Sequence, residues 1–417
     1  MRWLALHLPQ LPLEAFCATL GGAAATQPVA LLAGHRVQAV NAAAAGLGVQ
    51  AGCRRATALA LAPTLRLAEA DAARDAAALQ AVAHAALAFT PAVCLHDAQT
   101  VLMEVQASLR LFGGLSSLRQ RLLAALEPLG HRVLWAAAPT ALGAALLAAW
   151  AACGGPEPEP ESGPEGQDLA ALQRRLDDAP AWLLGPGRAH WEALQGMGLQ
   201  RLADLRALPR SGLARRLGTA LLDELDRAYG RRPDPRAWLS LPAQFESRLE
   251  LHTRADRSDQ VLHGAGVLLA RLVAWARAHQ ARVAAFTLQM QHEPRRGAAR
   301  PATELHLALA EPALDAAHLQ LLLRERLANL ALAAPTLELR LHCRDLAAGP
   351  APNGDLFPNP TGPAEGLARL LERLRARLGD VQVQRLEAVA DHRPERATRT
   401  RPAQGGESAR RPAAAGP

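Results

Sequence analysis

At 417 residues, half of them apolar, the chain is long enough for two to four domains with cores of their own, which excludes a small disulfide- or metal-stapled scaffold. Its formal charge of +7 and isoelectric point of about 10.2 point to an anionic partner. All 46 basic side chains are arginine, whose planar fork matches phosphate bidentately.

Residues 2–8 are apolar and predict a buried opening strand. Residues 29–33 and 37–40 predict short strands around a Gly34-His35 turn. Helical pieces interrupted by Gly46, Gly48 and Gly52 follow over 41–61, then a long Ala-rich helix over 71–88. Residues 93–95 and 101–105 predict paired strands, 116–129 a helix, 132–137 a strand and 140–152 a helix, which makes residues 1–153 an α+β domain. Residues 154–167 are rich in Gly, Pro and Glu with nothing apolar to bury, and predict a linker. A small helical domain is expected over 168–240. Residues 241–346 carry a βαββαβ pattern, with Ser258 as the N-cap of a helix to 279 and a basic hairpin at 294–300. The remainder, 347–417, holds a Pro/Gly-rich stretch and an Arg-rich tail. Between them an amphipathic helix over 365–378 puts Leu367, Leu370, Leu371, Leu374 and Leu378 on one face.

Cys17, Cys53, Cys94, Cys153 and Cys343 are scattered, so neither a zinc site nor a disulfide framework is indicated. The start lacks a basic segment followed by a long apolar run, and apolar stretches such as 141–152 are too short to span a bilayer. A cytoplasmic protein with no membrane partner is expected. Gly185, Gly187 and Arg188, followed by Gly196-Met197-Gly198-Leu199, suggest a hairpin between short helices. Backbone N–H groups there approach DNA phosphates without reading sequence.

In order, these pieces resemble the Y-family translesion DNA polymerases. Asn41-Ala42-Ala43-Ala44-Ala45-Gly46-Leu47-Gly48-Val49 with Gly52-Cys53 looks like their fingers. The strand 101–105 with Ser108-Leu109-Arg110-Leu111-Phe112-Gly113-Gly114 looks like their palm. Residues 185–205 resemble the thumb, and the βαββαβ module the little finger. Residues 6–14, LHLPQLPLE, and 391–397, DHRPERA, resemble the ImuB-type branch, whose members are non-catalytic. The resemblance implies a right-hand Y-family polymerase-like α+β fold with palm and fingers, a helix–hairpin–helix thumb and a βαββαβ little finger. It implies a role in DNA repair, the SOS response and translesion synthesis, with DNA, the sliding clamp, an error-prone C-family polymerase and a RecA-like ImuA-type protein as partners.

The departures from active relatives carry the mechanism. Polymerisation needs metal ions held by palm carboxylates. The first carboxylate falls at Ala5 or His7, and residues 1–13 contain none; the acidic pair falls at Gln99 and Thr100. The Tyr and Arg that grip the triphosphate fall at Ala42 and Ala45, and the accompanying Lys cannot exist in a chain without lysine. No catalytic residue, metal or cofactor is therefore expected. Asn353-Gly354-Asp355-Leu356-Phe357 resembles a clamp-binding peptide, with Asn353 at the place of the usual Gln and Asp355, Leu356 and Phe357 completing it. Two other readings stay open: an active translesion polymerase with relocated carboxylates, for which Asp97 and Glu104 are the nearest acids, and a plain helix–hairpin–helix DNA-binding protein.

Overall fold

A run of large apolar residues without alternation is the mark of a strand covered on both faces, and Trp3–His7 is such a run: all five side chains are buried. In the computed structural model, which describes residues 1–20, 27–156, 168–294, 302–348, 362–379, 382–390 and 392–402, this strand lies inside a four-stranded sheet. The chain divides into two compact units whose main boundary is Leu241–Pro242, with a short segment after Cys17 grouped with the second.

The first unit holds β1 (Trp3–His7), α1 (Leu11–Cys17), β2 (Val29–Ala33), β3 (Arg36–Val40), α2 (Ala42–Gly46), α3 (Arg55–Leu61), β4 (Arg66–Glu69), α4 (Ala72–Leu87), β5 (Val93–Leu95), β6 (Thr100–Glu104), α5 (Leu109–Phe112), α6 (Leu115–Leu126), β7 (Leu134–Ala138) and α7 (Ala141–Ala152). Six helices follow: α8 (Leu169–Asp177), α9 (Gly185–Ala189), α10 (Trp191–Gly196), α11 (Leu202–Ala207), α12 (Arg210–Leu217) and α13 (Thr219–Ala228). The sheet runs β5-β6-β1-β7, antiparallel throughout. A smaller sheet, β3-β2-β4, carries α2 and α3 around a core that includes Leu32, Val37, Val49 and Ala58. Side-chain caps start several helices: Asn41 accepts from the Ala44 N–H, Asp71 from Ala73 and Arg74, Thr140 from Gly143 and Asp168 from Ala170. A single core joins Trp3, Ala5 and Leu102 to α7 and then to Leu172, Leu194, Leu205 and Leu225 of the helices.

Beyond α13 no helix is assigned up to residue 240, so the last helix of the domain expected over 168–240 ends twelve residues before it. Leu239 donates its N–H to the Val93 carbonyl (2.8 Å), and Trp238 stacks on Trp3 with centroids 5.8 Å apart. That backbone hydrogen bond ties the segment to β5, an edge strand of the sheet.

The second unit holds β8 (Phe245–Ala255), α14 (Ser258–Ala278), β9 (Ala281–His292), β10 (Ala302–Ala313), α15 (Ala316–Ala328), β11 (Thr336–Ala348), α16 (Gly362–Leu378), β12 (Gln384–Ala388) and β13 (Thr398–Pro402). Its sheet has the order β10-β9-β11-β8. Among the described residues α14 is the one helix long and apolar enough to cross a membrane, and it is largely buried in this unit's core. Ser258 does not cap it. Ser258 is the first helical residue and gives its hydroxyl to the Leu327 carbonyl, while the Gln260 side chain accepts from the N–H groups of Asp256 and Arg257. Of the leucine face expected over 365–378, Leu371 and Leu374 are half-buried, Leu370 and Leu378 are exposed, and the Leu367 side chain lies outside those described. Among its described side chains Glu372 and Ala376, one turn apart, are buried, while Leu370 and Leu378 are more than half exposed. The buried Glu372 carboxylate accepts from His318 Nε2 (2.7 Å) and from the N–H groups of Ala310 and Glu311 on edge strand β10. Burial pushes the Glu372 carboxyl up, and these hydrogen bonds outweigh it and hold the group below the ordinary glutamate range.

Candidate functional site

Antiparallel register sets the site at one end of β1. His7 lies opposite Thr100 and Ala5 opposite Leu102. In a strand, residues two apart share a face, so Trp3, Ala5 and His7 point the same way. Ala5 is sealed in the apolar core, whereas His7 stands where the strand leaves it. Both His7 and Thr100 are buried, and His7 Nδ1 lies 2.9 Å from Thr100 Oγ1. Gln99 faces elsewhere: its backbone carbonyl accepts from the Leu8 N–H (2.8 Å) and its side-chain amide donates to the Pro9 carbonyl (3.2 Å). Burial, with His96 and Arg188 nearby, pulls the His7 pKa below its ordinary value against the opposing pull of Asp97. His7 is therefore a neutral imidazole at neutral pH, and its partner is a hydroxyl.

This donor set does not fit a two-metal carboxylate centre. Such ions need hard, anionic oxygens, and the end of the sheet offers an imidazole, a hydroxyl and an amide already committed to a carbonyl. The nearest acids do not make up the loss. Asp97 accepts from the Gln99 N–H within its own turn. Glu104 lies opposite Trp3 at the far end of β6, where it accepts from the N–H groups of Arg2 and Gln106. Four residues of strand, about 13 Å, separate Glu104 from Thr100, so Asp97 and Glu104 cannot share an ion. Among the described residues no group of three or more His, Cys, Asp or Glu is placed to hold a metal.

Ala42 and Ala45 stand three apart on α2 and share an exposed helical face. Bare methyl groups there offer a triphosphate neither charge nor a hydrogen bond.

The glycine pair before Arg188 is not a hairpin loop. Gly185 to Ala189 form α9, and the Gly185 N–H is taken by the Glu224 carboxylate (3.0 Å). Gly187 serves close packing instead: a Cβ at that position would run into the Ala181 carbonyl oxygen. The turn between helices lies downstream, where α10 passes through Met197 and Gly198 into α11. Arg188 is exposed and its guanidinium lies over the Trp182 ring, 5.8 Å from the centroid. Asn353, Asp355, Leu356 and Phe357 lie outside the described residues. Sequence reasoning missed Glu224 and also Arg236, which donates to His96 Nδ1 (3.1 Å) beside the site. Both partnerships span many residues and have no local signal.

Residues 15–149, from within α1 into α7, match the impB/mucB/samB family. The chain is 27% identical over 351 residues to Protein ImuB of Caulobacter vibrioides strain NA1000 / CB15N, across 84% of this chain and 73% of that protein. The same figures hold for Protein ImuB of strain ATCC 19089 / CIP 103742 / CB 15. Among solved structures it is similar to DinB from Sulfolobus solfataricus (17% identity, 82% of this chain and 98% of that one, TM-score 0.43) and to a Y-family DNA polymerase chimera built on Dbh (15%, 84% and 100%, TM-score 0.45). By these matches the chain resembles the Y-family polymerase-like proteins, and its own architecture is α+β. Over most of its length it is similar to ImuB proteins.

Proposed function

We propose that this protein is a non-catalytic, cytoplasmic adaptor in DNA repair and damage-induced mutagenesis. It binds DNA and the sliding clamp and recruits an error-prone C-family polymerase together with a RecA-like ImuA-type protein. One observation carries the non-catalytic reading: a buried His7–Thr100 pair occupies the end of the sheet where the resemblance to Y-family polymerases expects metal-holding carboxylates. A neutral imidazole and a hydroxyl cannot neutralise Mg²⁺. The exposed methyl groups of Ala42 and Ala45 remove the triphosphate grip in parallel. The clamp reading rests on Asn353-Gly354-Asp355-Leu356-Phe357, whose adjacent Leu and Phe suit insertion into a preformed pocket. The DNA reading rests on the excess of arginine and on exposed Arg188.

The test is primer extension by the purified protein with Mg²⁺ and with Mn²⁺. No templated addition is expected. Templated addition that tracks this protein through purification, free of contaminating polymerases, sinks the reading. In parallel, Leu356→Ala/Phe357→Ala should abolish clamp capture, a loss of at least a hundredfold if each side chain contributes on the order of 1.5–3 kcal/mol.

A further inference from the structure

The small β3-β2-β4 sheet with α2 and α3 has lost the residues that would grip a triphosphate, yet its charge is lopsided. Residues 27–69 contain four arginines, Arg36, Arg54, Arg55 and Arg66, and one acid, Glu69. Three of the arginines sit at one turn. Arg36, at the start of β3, forms an antiparallel bridge with Arg54, so the two side chains leave the backbone on the same face. Arg55 donates its N–H to the His35 carbonyl (3.0 Å), which brings it beside the same turn. The Arg36 guanidinium donates to the Gly52 carbonyl (2.9 Å). Gly52, at φ +88°, holds the segment against β3, with its N–H on the Val37 carbonyl and the Val37 N–H on the Cys53 carbonyl. His35, Arg36, Arg54 and Arg55 are all exposed.

Like charges set directly opposite across two strands are destabilising, and nothing nearby offsets them. Among the described residues none of Arg36, Arg54 and Arg55 forms an ion pair with a carboxylate; elsewhere in the molecule arginines such as Arg206, Arg210, Arg232 and Arg257 each do. Glu69 lies opposite Leu32, which lies opposite Val37. It therefore leaves the sheet on the face opposite to Arg36. An exposed cluster of guanidinium groups with no carboxylate partner is complementary to closely spaced phosphates, which arginine binds through two parallel hydrogen bonds.

We infer that the Arg36–Arg54–Arg55 cluster is a contact site for the sugar–phosphate backbone of a nucleic-acid strand, separate from Arg188. It rests on the reading of the protein as DNA-binding and deepens it, by giving the β3-β2-β4 sheet a task that needs neither metal nor triphosphate.

The test compares the full chain with Arg36→Gln/Arg54→Gln/Arg55→Gln, using a fluorescein-labelled single strand of mixed sequence and the matching duplex over a salt series. Each phosphate contact contributes about 0.7 to the slope of log affinity against log salt on a single strand. Losing three therefore lowers the slope by about 2 and shrinks the variant's disadvantage by roughly twentyfold between about 50 and 200 mM salt. A triple Lys variant should keep most of the slope. A control variant, Arg110→Gln/Arg121→Gln/Arg132→Gln, removes three exposed arginines elsewhere in the first unit. An unchanged slope in the Gln variant, an equal drop in the control, or an equal loss in the Lys variant each overturns the inference. If the wild-type chain has no affinity for either probe, the DNA-binding reading fails as well, so the two failures are distinguishable.

Discussion

The His7–Thr100 pair is a buried side-chain contact that joins β1 to β6. A buried imidazole nitrogen needs a partner, and Thr100 Oγ1 supplies it at 2.9 Å. Thr100→Val keeps the shape and removes the hydroxyl, leaving the imidazole nitrogen unpaired at a cost of about 1–3 kcal/mol, to be read from urea unfolding. His7 also sets a pH dependence. Its folded pKa lies below the ordinary value of 6.5, chiefly through burial, so the unfolded chain binds the proton first as pH falls. The stability due to neutral His7 is full above pH 6.5 and is lost as pH drops from there through the lower folded value. His96 and His292 shift in the same direction, burial being the largest cause in each. Unfolding midpoints should fall as pH drops below 6.5, and His7→Gln should shallow that slope. An unchanged slope would mean that the other histidines carry it.

Elements turn on contacts that local sequence does not announce. Gly187→Ala forces α9 away from the Ala181 carbonyl and should cost about 1–3 kcal/mol as an overpacking change. Gly196 has open space around its missing side chain, so Gly196→Ala should lie within about 1 kcal/mol of wild type; thermal unfolding of the two variants checks both. On α16, Glu372→Ala strands two N–H groups of β10 and His318, and should raise amide hydrogen exchange across β10 and α16. Leu370→Ser and Leu378→Ser should each change stability by no more than about 0.5 kcal/mol, because both side chains are largely exposed. Leucines at helical spacing outvote one glutamate in any amphipathic pattern, yet the buried turn is the one carrying the carboxylate, because β10 presents N–H groups that need an acceptor. The strand–helix order of β8 to β11 was legible because each run is long and its period unambiguous. The start of α14 was misplaced by one residue because Ser258 had a tertiary partner, Leu327, that outbid the cap. In the site, the neutral identities of His7, Gln99 and Thr100 are plain in the letters alone. That His7 and Thr100 bond to each other, with Gln99 turned to Pro9, depends on register between strands 93 residues apart.

At the scale of the molecule, the division at Leu241–Pro242 assigns β8 through β11, with α14 and α15, to a unit whose core is its own. Trp275, Leu268, Phe286, Leu288 and Leu341 are buried there. A fragment of residues 242–417 should therefore fold alone, with a single cooperative urea transition and dispersed amide resonances; a fragment with neither would show that this core is insufficient. The first unit ends in a contact with a different use. Trp3 and Trp238 stack at 5.8 Å with their planes 20° apart, and Trp238 is half exposed. Two indoles so close and so nearly parallel share their electronic excitation, so their ultraviolet circular dichroism should carry a paired positive and negative band that either ring alone lacks. Because Trp238 belongs to the extended segment that ends at Leu239, the couplet is a built-in optical gauge. It should vanish in Trp238→Phe, and it should fade in the wild-type protein whenever that segment leaves the β5 edge.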